Sequence, residues 1–504
     1  MASGLAEHHF RTGNDLARNV WQPGPAGGMA TRLDMPWPHV ASVGRPRLAS
    51  PTHMAERSTD ALRRLFTNAS WLLAGNVVGA GLTLLSMVVV VRSLTTEEFG
   101  QLAIVAAFGA VASRLANTGS WQLVVTFGSA ALHSSQASFL RLETVLRRAV
   151  MLDAMAAVGA ALVVFSAAPL VARWFGWSAD GEAMLRLQSV VVLAGATGSA
   201  IGVLRLLDRF DLASLHNPAT SATRLCMVLL AWWAGAGLWG FVLAWALSLV
   251  AGNLLLSAMA LRTYLRWHPT QHGPSVSPAP EATSSEVGTS AGLAWSTEFW
   301  QAARLAYLAG LLRMGREFDV LIIGSIVPLS ETGFYRLART ISASVFPLID
   351  AFAQAILPDL SRLWHQDRQE HLLRLVAHSS LFVGSAVAIL VGGFAVAGDT
   401  VLALVAGNAY LPAHATVMWC LAATATAAFT QPLGPAVLAT GGFHRLAFVD
   451  GVTTPFYWLA LLLMTLGWGI EGAGATYLLL HMTWGLAALG MLGVGVAARP
   501  SRRN

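Results

Sequence analysis

The chain has 504 residues, of which 55% are hydrophobic and only 12% charged, and its formal net charge is +6. Soluble domains carry roughly 25% charged residues, so the usual polar surface is missing, and a mean hydropathy of +0.58 points to lipid as the solvent for most of the chain. All 32 basic residues are arginine, which excludes a Walker-A lysine on ATP phosphates and a lysine Schiff base, and with them ATP-driven transport by this chain itself.

Residues 1–60 are rich in Pro and Gly, carry scattered Arg and His, and lack periodicity, which predicts a disordered cytoplasmic tail. They hold no apolar core of signal-peptide length, and Met54 offers an alternative start. From there about twelve apolar spans of roughly 20 residues follow. They run near 69–92, 100–128, 149–171, 184–204, 217–236 and 238–261, then 299–327, 332–357, 373–397, 412–436, 446–467 and 472–496. Residues 263–297, rich in Pro, Ser and Thr, read as a cytoplasmic linker between a first lobe (61–262) and a second (298–498), with 499–504 as a short cytoplasmic tail.

Orientation follows from arginine placement. With the N-terminus inside, most arginines fall on cytoplasmic segments, whereas Glu97, Glu98, Asp180, Glu331, Asp399 and Glu471 fall on outer loops. Both termini are then cytoplasmic, which requires an even number of spans. The halves also echo each other: Leu94–Ala103 (LTTEEFGQLA) and Leu329–Ala338 (LSETGFYRLA) both match L-[ST]-x-x-x-F-x-x-L-A between the first and second spans of their half. Six spans per half make the repeats parallel, and two such bundles enclose a central cavity. The expectation is an all-α integral membrane protein with two six-helix pseudo-repeat lobes around that cavity.

Several arginines lie inside these spans: Arg114, Arg224, Arg304, Arg313, Arg316, Arg336 and Arg339. A guanidinium at mid-membrane costs on the order of 3 kcal/mol by insertion scales. Arg224, Arg304 and Arg336 have the alternative of snorkelling to headgroups. Glu317 stands four residues from Arg313, and Asp319 three from Arg316. These pairs either neutralise one another on one helix or temper a cationic patch facing the cavity. Asp350, deeper in span eight, needs a buried partner or a wet cleft. If Arg114, Arg224, Arg313, Arg316, Arg336 and Arg339 converge, the cavity suits an anion, because guanidinium forks match phosphate oxygens in pairs. Glu317, Asp319 and Asp350 are the candidates for ion coupling.

Pro347, Pro358 and Gln431–Pro435 (QPLGP) mark hinges or fixed kinks. Cys226 and Cys420 sit in apolar runs and read as packing residues. No clustered Cys/His ligands, H-E-x-x-H or G-x-S-x-G elbow occurs, so no catalytic residue, metal or cofactor is expected.

Four passages carry a family likeness: Asn68–Ala103 (NASWLLAGN leading into VVRSLTTEEFGQLA), Arg316–Ala338, Leu357–Leu363 (LPDLSRL), and Ala406–Gly442, where AGNAYLPA precedes PLGPAVLATGG. Together they resemble the polysaccharide-transporter or O-antigen flippase branch of the multidrug/oligosaccharidyl-lipid/polysaccharide exporter superfamily. The resemblance implies twelve to fourteen helices in two lobes around a cationic cavity, in the inner membrane. It also implies translocation of undecaprenyl-diphosphate-linked oligosaccharide by alternating access, rather than enzymatic activity. Its partners would be the lipid-linked oligosaccharide, membrane lipid, and polysaccharide polymerase and chain-length machinery, with no nucleic acid. The rival expectations are a drug or cation exporter of the same superfamily, and a non-transporting membrane subunit of a polysaccharide assembly complex.

Overall fold

The computed structural model describes residues 73–132, 138–267, 297–308 and 318–497. The N-terminal tail, nearly all of the linker, the C-terminal tail and the candidate residues Arg313, Arg316 and Glu317 lie outside the described residues. Every regular element among the described residues is helical.

Helix α1 (Leu73–Ser93) leads into the first copy of the repeated motif. A capping box starts the next helix there: Thr95 Oγ1 accepts from the Glu98 amide at 3.2 Å, and the Glu98 carboxylate accepts from the Thr95 amide at 2.9 Å. This helix, α2 (Thr96–Ala116), stops at Asn117–Gly119, where Gly119 takes a φ of +69° that suits glycine. Helix α3 (Ser120–Leu132) completes the crossing, so the expected second span is two helices in series. The fourth span is divided in the same way. After α4 (Ser138–Trp174), α5 (Ala179–Leu193) and α6 (Gly198–Leu206) are separated by residues 194–197. The short α7 (Phe210–Ser214) precedes α8 (His216–Trp233) and α9 (Gly237–Arg266).

The second half opens with α10 (297–308). It continues through α11 (Asp319–Gly324), α12 (Leu329–Ala343), α13 (Phe346–His365) and α14 (Gln369–Val405). A 3-10 turn (Asn408–Ala413) leads to α15 (His414–Thr430), α16 (Leu433–Ala439) and α17 (Phe443–Ala497). Non-helical backbone at Trp468 and Gly469 divides α17 into two helices. Pro347 does not break a helix. The break falls just before it, at Ser344 and Val345, and Pro347 sits in the first turn of α13, where a missing N–H leaves no bond unmade. Pro358 lies within α13 without ending it, whereas Gln431–Pro432 does separate α15 from α16.

Among the described residues each of the twelve expected spans falls on helix, the first and seventh described only in part. Eight helical stretches among the described residues are long and apolar enough to cross a membrane. Their outward faces are apolar: Met155, Leu162 and Phe165 on α4, Phe382, Ile389 and Val396 on α14, and Leu459 and Leu463 on α17 are all exposed. Aqueous solvent does not support that much contiguous apolar surface, and lipid does. The protein is therefore a multi-pass membrane protein.

The halves meet where the two motif copies start. A Cβ on Gly100 would collide with the carbonyl of Leu329, and one on Gly333 would stand 3.0 Å from the carbonyl of Thr96. The N-terminal turns of α2 and α12 thus cross backbone against backbone. The shared motif phenylalanines, Phe99 and Phe334, both meet the ring of Tyr410 edge-on, with centroids 6.0 and 5.5 Å away. Tyr410 belongs to the 3-10 turn, so three separate sequence motifs close into one buried clasp. Nearby, Arg92 at the end of α1 donates to the carbonyls of Leu404 and Val405 at the end of α14. Residues 297–308 side with the first half despite following the linker: Phe299 packs with Leu123 and Val145, and the Tyr307 hydroxyl donates to the Leu115 carbonyl at 3.1 Å.

Candidate functional site

Beneath that crossing the halves leave a cavity of about 340 Å³. One wall is built of small residues, Ala80 on α1 and Ala107 and Ala110 on α2; the other carries Asp319 from α11 with Arg336, Arg339 and Thr340 from α12. The small side chains leave the space, and the arginines at i and i+3 on one helical face reach into it.

Asp319 is the first residue of α11, where a helix N-terminus favours a carboxylate. Its Oδ2 accepts from Arg339 Nε at 2.9 Å and from the Tyr335 hydroxyl at 3.0 Å. The two donors sit four residues apart on α12, so one helical face supplies both. Across the pair, the Arg339 guanidinium lies 3.9 Å from the centre of the Tyr477 ring on α17. Arg339 is thus held on one side by a carboxylate and on the other by a π face.

Arg336 is half-buried on the cavity wall. From the first half, the buried Arg224 on α8 lies close enough for the two charges to repel. Arg224 stacks over Trp245 at 4.0 Å, and its Nε donates to Ser248 Oγ at 3.4 Å. The arginine of α8 is therefore packed within protein rather than extended to headgroups. Arg114 does not line the cavity. It is exposed in the last turn of α2, one turn beyond Ala110 on the same face. Arg304 is exposed on α10. Asp350 is exposed on α13, away from the cavity lining, and accepts from Gln431 Nε2 at 2.7 Å beside the α15–α16 break.

The structure thus brings together Arg224, Arg336, Arg339 and Asp319 and leaves Arg114 and Asp350 apart. Among the described residues the cationic partner of Asp319 is Arg339, twenty residues on, and Arg316 lies outside them. Sequence reasoning missed the aromatic groups that hold these charged side chains, Trp245 on Arg224, Tyr477 on Arg339 and Tyr335 on Asp319. It also missed Asp153, a carboxylate buried in α4. Tyr is rare in this chain, six in all, and Tyr335, Tyr410, Tyr457 and Tyr477 are all buried near this centre, which was a legible signal.

Comparisons with known proteins agree on the architecture. The sequence model of a family described as polysaccharide biosynthesis protein matches residues 65–364. The inner membrane protein YghQ of Escherichia coli (strain K12) is 24% identical over 354 residues, covering 70% of this chain and 96% of that protein. Among solved structures, the lipid II flippase MurJ in an inward closed conformation superposes with a TM-score of 0.60 at 10% identity, over 84% of this chain and 87% of that one. An inward-facing multidrug resistance MATE transporter of the MOP superfamily gives 0.57 at 14% identity, over 87% and 96%. At such identities the two structures establish the fold.

Proposed function

Because the chain belongs to the polysaccharide biosynthesis protein family, we propose that it is a flippase that moves an undecaprenyl-diphosphate-linked oligosaccharide across the inner membrane by alternating access. The product would serve surface or extracellular polysaccharide synthesis. The observation that carries this reading is the cavity between the halves, with Arg336 and Arg339 on one wall and Arg224 close by. A diphosphate offers paired oxygens to guanidinium forks, its prenyl tail remains in lipid, and the glycan occupies the wet cleft. The E. coli relative, called an inner membrane protein, supports the location. Both termini are assigned to the cytoplasm from the arginine distribution. Polymerase and chain-length machinery would receive the product.

In this mechanism Arg339 exchanges partners. An arriving diphosphate competes with Asp319 for the guanidinium, and the released carboxylate takes up a proton or a cation. Glu317 and Asp350 remain further coupling candidates, and Arg114, Arg313 and Arg316 further anion-binding ones. Arg336→Gln and Arg339→Gln are expected to reduce surface polymer at least tenfold relative to the amount of protein in the membrane, measured by polymer gel and immunoblot. Full polymer in both variants would remove them from the mechanism.

A further inference from the structure

Asp153 is 3% exposed, a few residues into the apolar stretch of α4. Its Oδ1 accepts from the Thr118 hydroxyl at 2.7 Å and its Oδ2 from the Ser199 amide at 2.6 Å. Both donors stand at helix interruptions, Thr118 between α2 and α3 and Ser199 just after the α5–α6 break. Gly198 adds room at the same place: a Cβ there would collide with Ser120 Oγ and meet the two Asp153 oxygens at 3.2 and 3.3 Å. The Ser120 hydroxyl, fully buried, has no hydrogen-bond partner. It is an unused oxygen beside an anionic one.

The donors to Asp153 are neutral, whereas buried charges are ordinarily paired or coordinate a cation. The charged groups on the elements packed around it are Glu97, Glu98 and Arg114 on α2, Asp180, Glu182 and Arg186 on α5, Arg205 on α6, Glu298 and Arg304 on α10, and Glu143, Arg147, Arg148 and Arg173 among the described side chains of α4 itself. None of them pairs with Asp153. Interrupted helices also free backbone carbonyls at the ends of α2 and α5, the oxygen donors from which transporters build cation sites.

We propose that Asp153, Thr118 and Ser120 form a monovalent-cation site, taking a sodium ion between the two helix breaks of the first half. Occupancy neutralises the carboxylate and fixes α3 and α6 against α4. A role in driving transport rests on the flippase reading; the binding does not, and it is tested without substrate.

The test is thermal unfolding of the purified full chain in detergent, for wild type and Asp153→Asn. Sodium is varied against choline at constant ionic strength and constant pH. A ligand that binds only the folded state raises Tm with its concentration. The expected result is a saturable rise of a few degrees with sodium, lost in Asp153→Asn. Equal shifts in both proteins, or none in wild type, overturn the proposal. Should Asp153→Asn not fold, Ser120→Ala keeps the charge and removes one oxygen. It should raise the half-saturating sodium concentration about tenfold, and an unchanged half-saturating concentration overturns the site equally. Polymer output reports on the flippase reading separately.

Discussion

In the proposed mechanism Arg339 is under two opposed demands. A substrate anion wants the guanidinium free, whereas Asp319 holds it at 2.9 Å with side chains only 19% and 6% exposed. In low dielectric, breaking such a pair by removing one partner costs about 3–5 kcal/mol, because the other charge is left buried and uncompensated. Replacing both partners with apolar groups of similar size is often close to neutral. Asp319→Asn and Arg339→Gln should therefore each destabilise the protein by about 3 kcal/mol, and Asp319→Leu combined with Arg339→Met should recover most of that loss. Denaturation in detergent measures this, and simple additivity of single and double changes would show that the two groups are not coupled. The stable double variant should still fail to make polymer, which separates the structural use of Arg339 from its use on substrate.

The elements that frame the site are set by what they exclude at their contacts. At the α2–α12 crossing the obstacle to a side chain on Gly100 is backbone, the carbonyl of Leu329, which cannot swing aside. Gly100→Ala should cost about 1–3 kcal/mol as overpacking, whereas Gly392→Ala, with nothing within 4 Å of its Cβ, should be neutral or stabilise by up to about 1 kcal/mol. Equal Tm values for the two would mean that the crossing is loose. The repeated motif made the crossing partly legible, since Phe99 and Phe334 are matching positions and both reach Tyr410. The glycines escaped notice because Gly100 aligns with Tyr335, and Gly333 with Glu98, so comparing the halves hides them. Helix breaks at Asn117–Gly119 and 194–197 were likewise submerged in apolar runs, where hydropathy reports a crossing and is blind to a gap of a few residues. Asp153 was overlooked for a related reason: a single carboxylate barely alters the hydropathy of a long span, and its two donors, Thr118 and Ser199, come from other parts of the chain. The arginines were found readily, but their placement depends on reach. Arg224 turned out to be held by Trp245 on the next helix, a contact that spacing within one helix does not encode.

At the scale of the molecule, the proposed alternating access requires the end sealed by the Phe99–Phe334–Tyr410 clasp to open. Arg92 bridges that end, from the last turn of α1 in the first half to the last carbonyls of α14 in the second. Its guanidinium satisfies helix-terminal carbonyls that would otherwise need water, so opening breaks charge-assisted bonds as well as aromatic packing. Both Arg92 and Leu404 are exposed, and of the native cysteines only the exposed Cys226 competes for a thiol reagent, Cys420 being fully buried. Arg92→Cys with Leu404→Cys, in a Cys226→Ser background, is therefore open to bridging by a short bifunctional maleimide. Bridging should stop translocation, read as loss of new surface polymer, while a monofunctional maleimide at the same two cysteines should leave most of it. The control matters, because losing the Arg92 bonds alone ought to favour the opened state and not block the cycle. Continued export in a fully bridged protein would mean that this end never parts, and the cavity would then have to load and empty by some path other than separation of the halves.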